Sequence, residues 1–248
     1  MLIAVLAAIA LSMLAYAVLG ARRDPDAERR SSHFVMGAGD FFIHWFLWLV
    51  GPFERLALAL GWSPIVFNFI GLGFGAAAGL FFAWGRFAPG AWMILACGVC
   101  DILDGRIARR RNATSPQGAF VDSSLDRFCE VFVFLGLVWY FHDRPLGAFT
   151  SAAAMAGSLL VSYTRARGES QGVLCKEGLM QRAERLVLMF VAGACDAAFM
   201  RWTGQPAGTL MVGVTGLIAG ATFLTAVHRT WWIAVRLKSP DPGAGPTP

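Results

Sequence analysis

The chain has 248 residues, of which 56% are hydrophobic and 15% charged, and its formal net charge is +5. Soluble domains carry roughly 25% charged residues, so the composition excludes an ordinary water-soluble domain. It predicts an all-α, polytopic helical membrane protein. The basic excess does not indicate a nucleic-acid partner, because basic cytoplasmic loops commonly cause such an excess in membrane proteins.

The chain begins with an apolar segment, and the first positive charges follow it. Residues 1–20 are uncharged and are followed at once by Arg22 and Arg23. A signal peptide carries its positive charge before the apolar run. We therefore predict that residues 1–38 comprise an uncleaved transmembrane span and a cytoplasmic linker.

The next segment, residues 39–62, is rich in Phe, Trp and Leu but also contains ionisable side chains. That mixture predicts an amphipathic helix lying in the membrane interface. Residues 63–237 contain six apolar runs of about bilayer length, which predict a six-helix transmembrane domain. The runs cover residues 65–84, 88–106, 117–141, 147–164, 184–200 and 208–227. Residues 238–248 have too little apolar content to fold and are predicted to be disordered.

The distribution of basic residues predicts the orientation of these spans. When the spans are threaded alternately, only Arg86, Arg144 and Arg201 of the 21 Lys and Arg residues fall on the outer side. Cytoplasmic loops carry the excess of Lys and Arg in membrane proteins. The pattern therefore predicts a cytoplasmic C-terminus.

Four aspartates lie where two successive apolar runs approach the cytoplasm. Asp101 and Asp104 stand three residues apart at the end of one run, and Asp122 and Asp126 stand four apart at the start of the next. Each spacing places its pair on one helical face, and the short connection makes the two helices antiparallel neighbours. Because ionisable side chains in a membrane span are costly, they indicate a functional site.

Four converging carboxylates cannot all ionise without a counter-charge. One or two divalent cations, Mg²⁺ or Mn²⁺, would supply it, since aspartate oxygens are hard ligands. The alternative is a structural cluster neutralised by Arg106, Arg109 and Arg127. Buried ion-pair clusters are poor stabilisers, and Gly105 and Ala108 leave a face at which a ligand can approach. The metal site is therefore the favoured interpretation.

The aspartates belong to a longer pattern. It consists of Asp101, Asp104-Gly105, Ala108-Arg109, Gly118, Asp122 and Asp126. In positions and spacings this pattern resembles the signature of the CDP-alcohol phosphotransferases, also called CDP-alcohol phosphatidyltransferases. The resemblance implies a six-span membrane homodimer that moves a substituted phosphate from a CDP-linked alcohol to an acceptor hydroxyl and releases CMP.

The resemblance also implies roles for individual residues. Asp101, Asp104, Asp122 and Asp126 would hold two Mg²⁺ or Mn²⁺ ions, and Asp126 would also take the proton of the acceptor. The residues that would contact the CDP group are Asn68, Gly105, Ala108, Arg109, Ser115 and Gly118. Asn68 departs from the family, because the usual Pro-Asn pair and the later Thr are replaced here by Pro64-Ile65 and Asn68. On the same run, glycines repeat every four residues at Gly71, Gly75 and Gly79, either for close helix packing or for a ligand.

A later loop bears on the acceptor. Residues 162–189 resemble the corresponding stretch of bacterial phosphatidylinositol phosphate synthases, with Ser-Tyr, a basic residue, Ala-Arg and a later Glu-Arg in the same order. The resemblance implies that Arg165, Arg185 and Arg229 bind the phosphate of the acceptor. Ordinary positive-inside residues are the alternative for each arginine taken alone.

The predicted activity is transfer of the phosphatidyl group from CDP-diacylglycerol to the hydroxyl of inositol 1-phosphate, at the cytoplasmic face of a bacterial-type cytoplasmic membrane. Glycerol 3-phosphate is the rival acceptor and would make the chain a phosphatidylglycerophosphate synthase. A cation transporter that uses the aspartates as an ion site is the non-enzymatic alternative. Transporters often show internal repeats, and the two halves of this sequence show none.

Overall fold

A computed structural model describes residues 2–19, 38–175 and 178–238 of the chain. Within these ranges the regular secondary structure is entirely α-helical, which confirms the predicted all-α class. The helices are α1 (Leu2–Leu19), α2 (Ala38–Ala59), α3 (Pro64–Ala83), α4 (Phe87–Arg110), α5 (Pro116–Tyr140), α6 (Pro145–Glu169), α7 (Arg182–Thr203) and α8 (Thr209–Lys238). The predicted linker before residue 38 and the predicted tail after Lys238 lie outside the described residues.

The six apolar runs predicted between residues 63 and 237 correspond to α3 through α8. Among the described helices, α2, α3, α4, α6, α7 and α8 have the length and hydropathy needed to cross a membrane, and this finding supports an integral membrane protein. Helix α5 is as long as its neighbours but carries Asp122, Asp126, Arg127 and Glu130. Helix α2 also has the hydropathy of a span, and its interfacial position stays a prediction, as does the membrane crossing of α1.

The chain is organised as two compact units. Unit 1 consists of Met1–Phe67 and Ile102–Ser115, and unit 2 consists of Asn68–Asp101 and Pro116–Pro248, each as far as the structure describes it. Helix α4 therefore contributes its first turns to unit 2 and its last turns to unit 1.

Unit 2 is a helical bundle in which α8 packs extensively along α6 and also against α7, while α5 packs against α6. Its apolar core includes Phe82, Phe87, Leu137, Phe141 and Met211. Helix α7 begins with a capping box, in which Gln181 and Glu184 satisfy each other's backbone N–H groups. This cap fixes the residue at which α7 starts, and therefore the direction of the side chains in its first turn.

The glycines of α3 pack against other helices. A β-carbon added to Gly79 would overlap the backbone carbonyl of Phe132 on α5, and one added to Gly136 would overlap the carbonyl of Gly79. A β-carbon added to Gly75 would lie 2.8 Å from the β-carbon of Cys129 on α5. These contacts favour the helix-packing interpretation of the repeat, because small residues let helix backbones approach closely in membranes.

Substitution of Gly79 by Ala tests this packing. The new methyl group would force α3 and α5 apart, and overpacking of this kind costs about 1–3 kcal/mol in the free energy of unfolding. Gly73→Ala is the matched control, because Gly73 is on the same helix and has no atom near the position of its added β-carbon. Unfolding in detergent by titration with SDS measures both variants. Equal stability of the two would contradict the close approach of the helices.

Candidate active site

Three of the four predicted aspartates come together in unit 2. Asp101 on α4 and Asp122 and Asp126 on α5 each offer one carboxylate oxygen, and these oxygens lie within 4.8 Å of one another. All three side chains are half-buried. The spacing of four residues puts Asp122 and Asp126 on one face of α5, and that face is turned toward the end of the α4 segment in the same unit. The result is a small group of like charges in a partly dry environment.

A guanidinium group that the sequence analysis did not single out lies against this group. The Nη1 atom of Arg182, the first residue of α7, is 2.7 Å from Asp101 Oδ1, and its Nη2 atom is 2.6 Å from Asp126 Oδ1. The buried Nε atom of Arg182 has no hydrogen-bond partner among the described residues. Arg182 therefore bridges carboxylates from two helices, and its only sequence signal was its place just before the Glu184-Arg185 pair.

The donor set fits a divalent cation. Each of the three residues offers a hard carboxylate oxygen, which is the ligand type that Mg²⁺ and Mn²⁺ prefer. The carboxylates already attract a positive charge within the protein, because the Arg182 guanidinium lies against one oxygen of Asp101 and one of Asp126. Repulsion among the carboxylates is reduced by any cation at this point, and a metal ion would do so more strongly than one guanidinium.

The other motif residues near the end of α4 belong to unit 1. Asp104 is buried and follows Asp101 by about one helical turn. The guanidinium of Arg109 folds back over Gly105, so that its Nη1 atom lies 3.2 Å from the position of a β-carbon there. Gly105 thus leaves space that the Arg109 side chain occupies. Ala108 is half-buried on the same helix, and Ser115 is exposed just before α5.

The two remaining predicted CDP contacts belong to unit 2. Gly118 is exposed in the first turn of α5. The side-chain oxygen of Asn68 on α3 is buried and has no hydrogen-bond partner among the described residues. An amide oxygen in that condition is costly unless a ligand or water satisfies it.

The three arginines predicted to bind the acceptor differ in their surroundings. Arg165 is 49% exposed, and its Nε atom is 2.8 Å from Glu169 on the same helix. Arg185 and Arg229 are buried, each 3% exposed. Arg229 donates to the Val161 carbonyl at 3.0 Å.

Glu130 forms an ion pair with the buried Arg185. Its Oε1 atom lies 2.5 Å from Arg185 Nη2, and its Oε2 atom accepts a hydrogen bond of 3.3 Å from Arg127. Arg127 also donates to the hydroxyl of Ser162 on α6. This network connects α5, α6 and α7 directly behind the aspartates. The Nε atom of Arg185 remains buried without a hydrogen-bond partner in the described part of the chain.

Comparison with known proteins finds similar sequences and similar structures. Residues 63–232 match the sequence profile of the CDP-alcohol phosphatidyltransferase family. The phosphatidylinositol phosphate synthase of Mycobacterium tuberculosis is 35% identical over 184 residues, which cover 72% of this chain and 82% of the relative.

Two crystal structures of a phosphatidylinositol phosphate synthase from Mycobacterium tuberculosis are similar to this chain. The structure with CDP-diacylglycerol bound has a TM-score of 0.66 and 27% identity, and the match covers 80% of this chain and 98% of that one. The structure in complex with manganese and citrate has a TM-score of 0.67 and 29% identity, over 80% of this chain and 93% of that one. The family resemblance drawn from residues 101–126 is thereby confirmed.

Replacement of Arg182 by Gln tests its role as the counter-charge of the aspartates. Without metal, the variant removes the guanidinium that contacts both Asp101 and Asp126, and we expect it to lose about 1–3 kcal/mol in the free energy of unfolding. Added Mn²⁺ should then stabilise the variant more than the wild type, because binding to the folded state raises its stability. Thermal unfolding in detergent, with EDTA and with Mn²⁺, measures both effects.

Arg201→Gln is the control for this experiment, because Arg201 is exposed near the other end of α7. It should behave as the wild type under both conditions. An Arg182→Gln protein with unchanged metal-free stability and an unchanged response to Mn²⁺ would contradict the assigned role.

Proposed function

The chain belongs to the CDP-alcohol phosphatidyltransferase family, and we propose that it transfers the phosphatidyl group of CDP-diacylglycerol to a hydroxyl of inositol 1-phosphate, with release of CMP. The observation that carries this proposal is the convergence of Asp101, Asp122 and Asp126 within the family's motif. The similarity to a synthase of phosphatidylinositol phosphate supports the choice of acceptor. The complex of that synthase with CDP-diacylglycerol supports the choice of donor.

The aspartates are the proposed ligands of two divalent ions, Mg²⁺ or Mn²⁺. Asp101, Asp122 and Asp126 are assigned from their geometry, and Asp104 is assigned from its place in the motif. Bound ions would neutralise the diphosphate and stabilise the charge that develops at the phosphorus under attack. The manganese complex of the mycobacterial synthase supports this cofactor class.

The chain's own residues bind and orient the two substrates. Arg109 contributes positive charge for the diphosphate. Gly105 and Ala108 are small, so they leave room for the CDP group beside the helix. Ser115 and Gly118 contact the CDP group from the connection into α5. Asn68 offers its buried oxygen, which lacks another partner in the described chain, to a donor on the nucleotide. Asp126 accepts the proton of the attacking hydroxyl, as a general base must lie beside the reacting group.

The proposed acceptor carries a phosphate group, and Arg165 on α6, Arg185 on α7 and Arg229 on α8 are its proposed ligands. Arginine is suited to phosphate because its guanidinium donates two parallel hydrogen bonds. Arg185 has a buried Nε donor that lacks a hydrogen-bond partner among the described residues. Arg165 supplies a third, more exposed guanidinium at the end of α6. A phosphate group would accept hydrogen bonds from guanidinium groups on all three helices.

The topology and assembly belong to the same proposal. Residues 63–237 form the catalytic domain, and the profile match over residues 63–232 supports those limits. The excess of Arg and Lys around the aspartates supports an active site that faces the cytoplasm. A homodimer is proposed from the family resemblance.

Asp126→Asn tests the assignment of the base. The amide keeps the size of the side chain but cannot accept the proton, so we expect kcat to fall by about 10²–10⁴-fold. Release of CMP from CDP-diacylglycerol with inositol 1-phosphate measures the loss. Asp143→Asn, at an exposed position in the α5–α6 connection, is the control and should be fully active. Retention of most activity by the Asp126 variant would show that the base is another group.

Arg165→Gln tests the phosphate-binding role without the folding cost of a buried charge. We expect the KM for inositol 1-phosphate to rise about tenfold, as for the loss of one charge-assisted hydrogen bond, with an unchanged KM for CDP-diacylglycerol. Arg167→Gln is the matched control two residues later on the exposed end of the same helix. Steady-state kinetics with each substrate varied in turn separates the two constants. An effect shared equally by both variants would point to general surface charge.

A further inference from the structure

Unit 1 contains a buried carboxylate to which the motif gives no role. Glu54 on α2 is 2% exposed, and its Oε2 atom lies 2.7 Å from the Nε atom of Arg106. Its other oxygen is in contact with Arg110. Arg106 is also buried, whereas Arg110 extends to the surface. One carboxylate thus pairs with two guanidinium groups that stand four residues apart in the last turns of α4.

A third arginine strengthens this connection. Arg111, directly after α4, donates to the backbone carbonyls of Leu58 at 3.3 Å and Gly61 at 3.1 Å. Carbonyls at the end of a helix lack partners within the helix and favour a cation. Glu54, Leu58 and Gly61 all precede residue 63, where the match to the family begins. The N-terminal part of the chain therefore holds the end of α4 through the Glu54 side chain and two backbone carbonyls that lie outside the matched region.

The rotation of this helix end matters because the proposed CDP contacts lie on it. Arg106 and Arg110 occupy one face of α4, and Gly105 and Arg109 occupy the adjacent face, about 100° away. A buried charge that loses its partner is strongly destabilising. The pairing with Glu54 therefore holds these turns in one position against α2, and Gly105 and Arg109 lie on the same turns.

We propose that Glu54 is a positioning residue for donor binding. By holding Arg106 and Arg110, it sets the rotation of the last turns of α4 at which Gly105, Ala108 and Arg109 receive the diphosphate of the CDP group. The inference rests on the proposed function for the identity of the donor. It assigns to the N-terminal segment a part in donor affinity that the motif residues do not reveal.

Glu54→Gln in the full-length protein tests this role. The amide has nearly the same size but removes the negative charge that Arg106 and Arg110 both contact, so the hold of α2 on the helix end is weakened. Misplacement of a binding group by about 1 Å can cost 10²-fold, and we expect the KM for CDP-diacylglycerol to rise about tenfold. The KM for inositol 1-phosphate should stay unchanged. Calorimetric binding of CDP to the purified protein should weaken by a similar factor.

Two further variants separate positioning from general stability. Arg55→Gln, at the exposed neighbouring position, should keep wild-type constants. Arg110→Gln removes only the surface-exposed partner and should raise the donor KM less than Glu54→Gln does, in a folded protein. The double variant Glu54→Gln with Arg110→Gln should show less than the sum of the two losses, because contacting residues are coupled.

The outcomes distinguish this inference from the proposed function. If the wild type releases CMP and Glu54→Gln keeps the wild-type donor KM and CDP affinity, the positioning role is wrong. Equal loss for donor and acceptor, or loss of kcat alone, would also overturn it, since a merely structural residue gives that result. If the wild type releases no CMP with any acceptor, the proposed function fails, and the binding of CDP alone still decides the role of Glu54.

Discussion

Repulsion among carboxylates in a partly dry site is the constraint around which the bundle is organised. Asp101, Asp122 and Asp126 lie so close together that a positive charge has to stand between or beside them. Arg182 meets that requirement for two of the three. The capping box at the start of α7 places Arg182 there, so a local feature of one helix controls the electrostatics of the site.

Buried charges farther from the aspartates are also paired. Glu130 neutralises the buried Arg185 and contacts Arg127, which in turn reaches Ser162 on α6. Backbone contact at Gly79 and Gly136 keeps α3 against α5 and leaves no space for sliding between them. Rigid placement of this kind is what phosphoryl transfer needs, since positioning and electrostatic stabilisation supply most of the catalysis.

The sequence predicts much of this arrangement because hydropathy and periodicity are local properties. The apolar runs predicted the helices from α3 to α8, and the spacings of the aspartates placed Asp122 and Asp126 on one face. Arg182 and Glu54 could not be singled out, because their partners stand far away along the chain and each resembles an ordinary loop or interfacial charge. Glu130 follows Asp126 by four residues, so the sequence places it on the same face of α5 as Asp122 and Asp126. Its pairing with Arg185 depends on how α5 and α7 pack, which no local pattern encodes.

The most direct test of the account is release of CMP by the detergent-purified protein with CDP-diacylglycerol and Mg²⁺ or Mn²⁺. Inositol 1-phosphate, glycerol 3-phosphate, free inositol and serine are compared as acceptors. We expect release of CMP with inositol 1-phosphate, and no release when the metal is chelated. Release with glycerol 3-phosphate alone would contradict the acceptor, and release only with an unphosphorylated acceptor would also contradict the role of the three arginines.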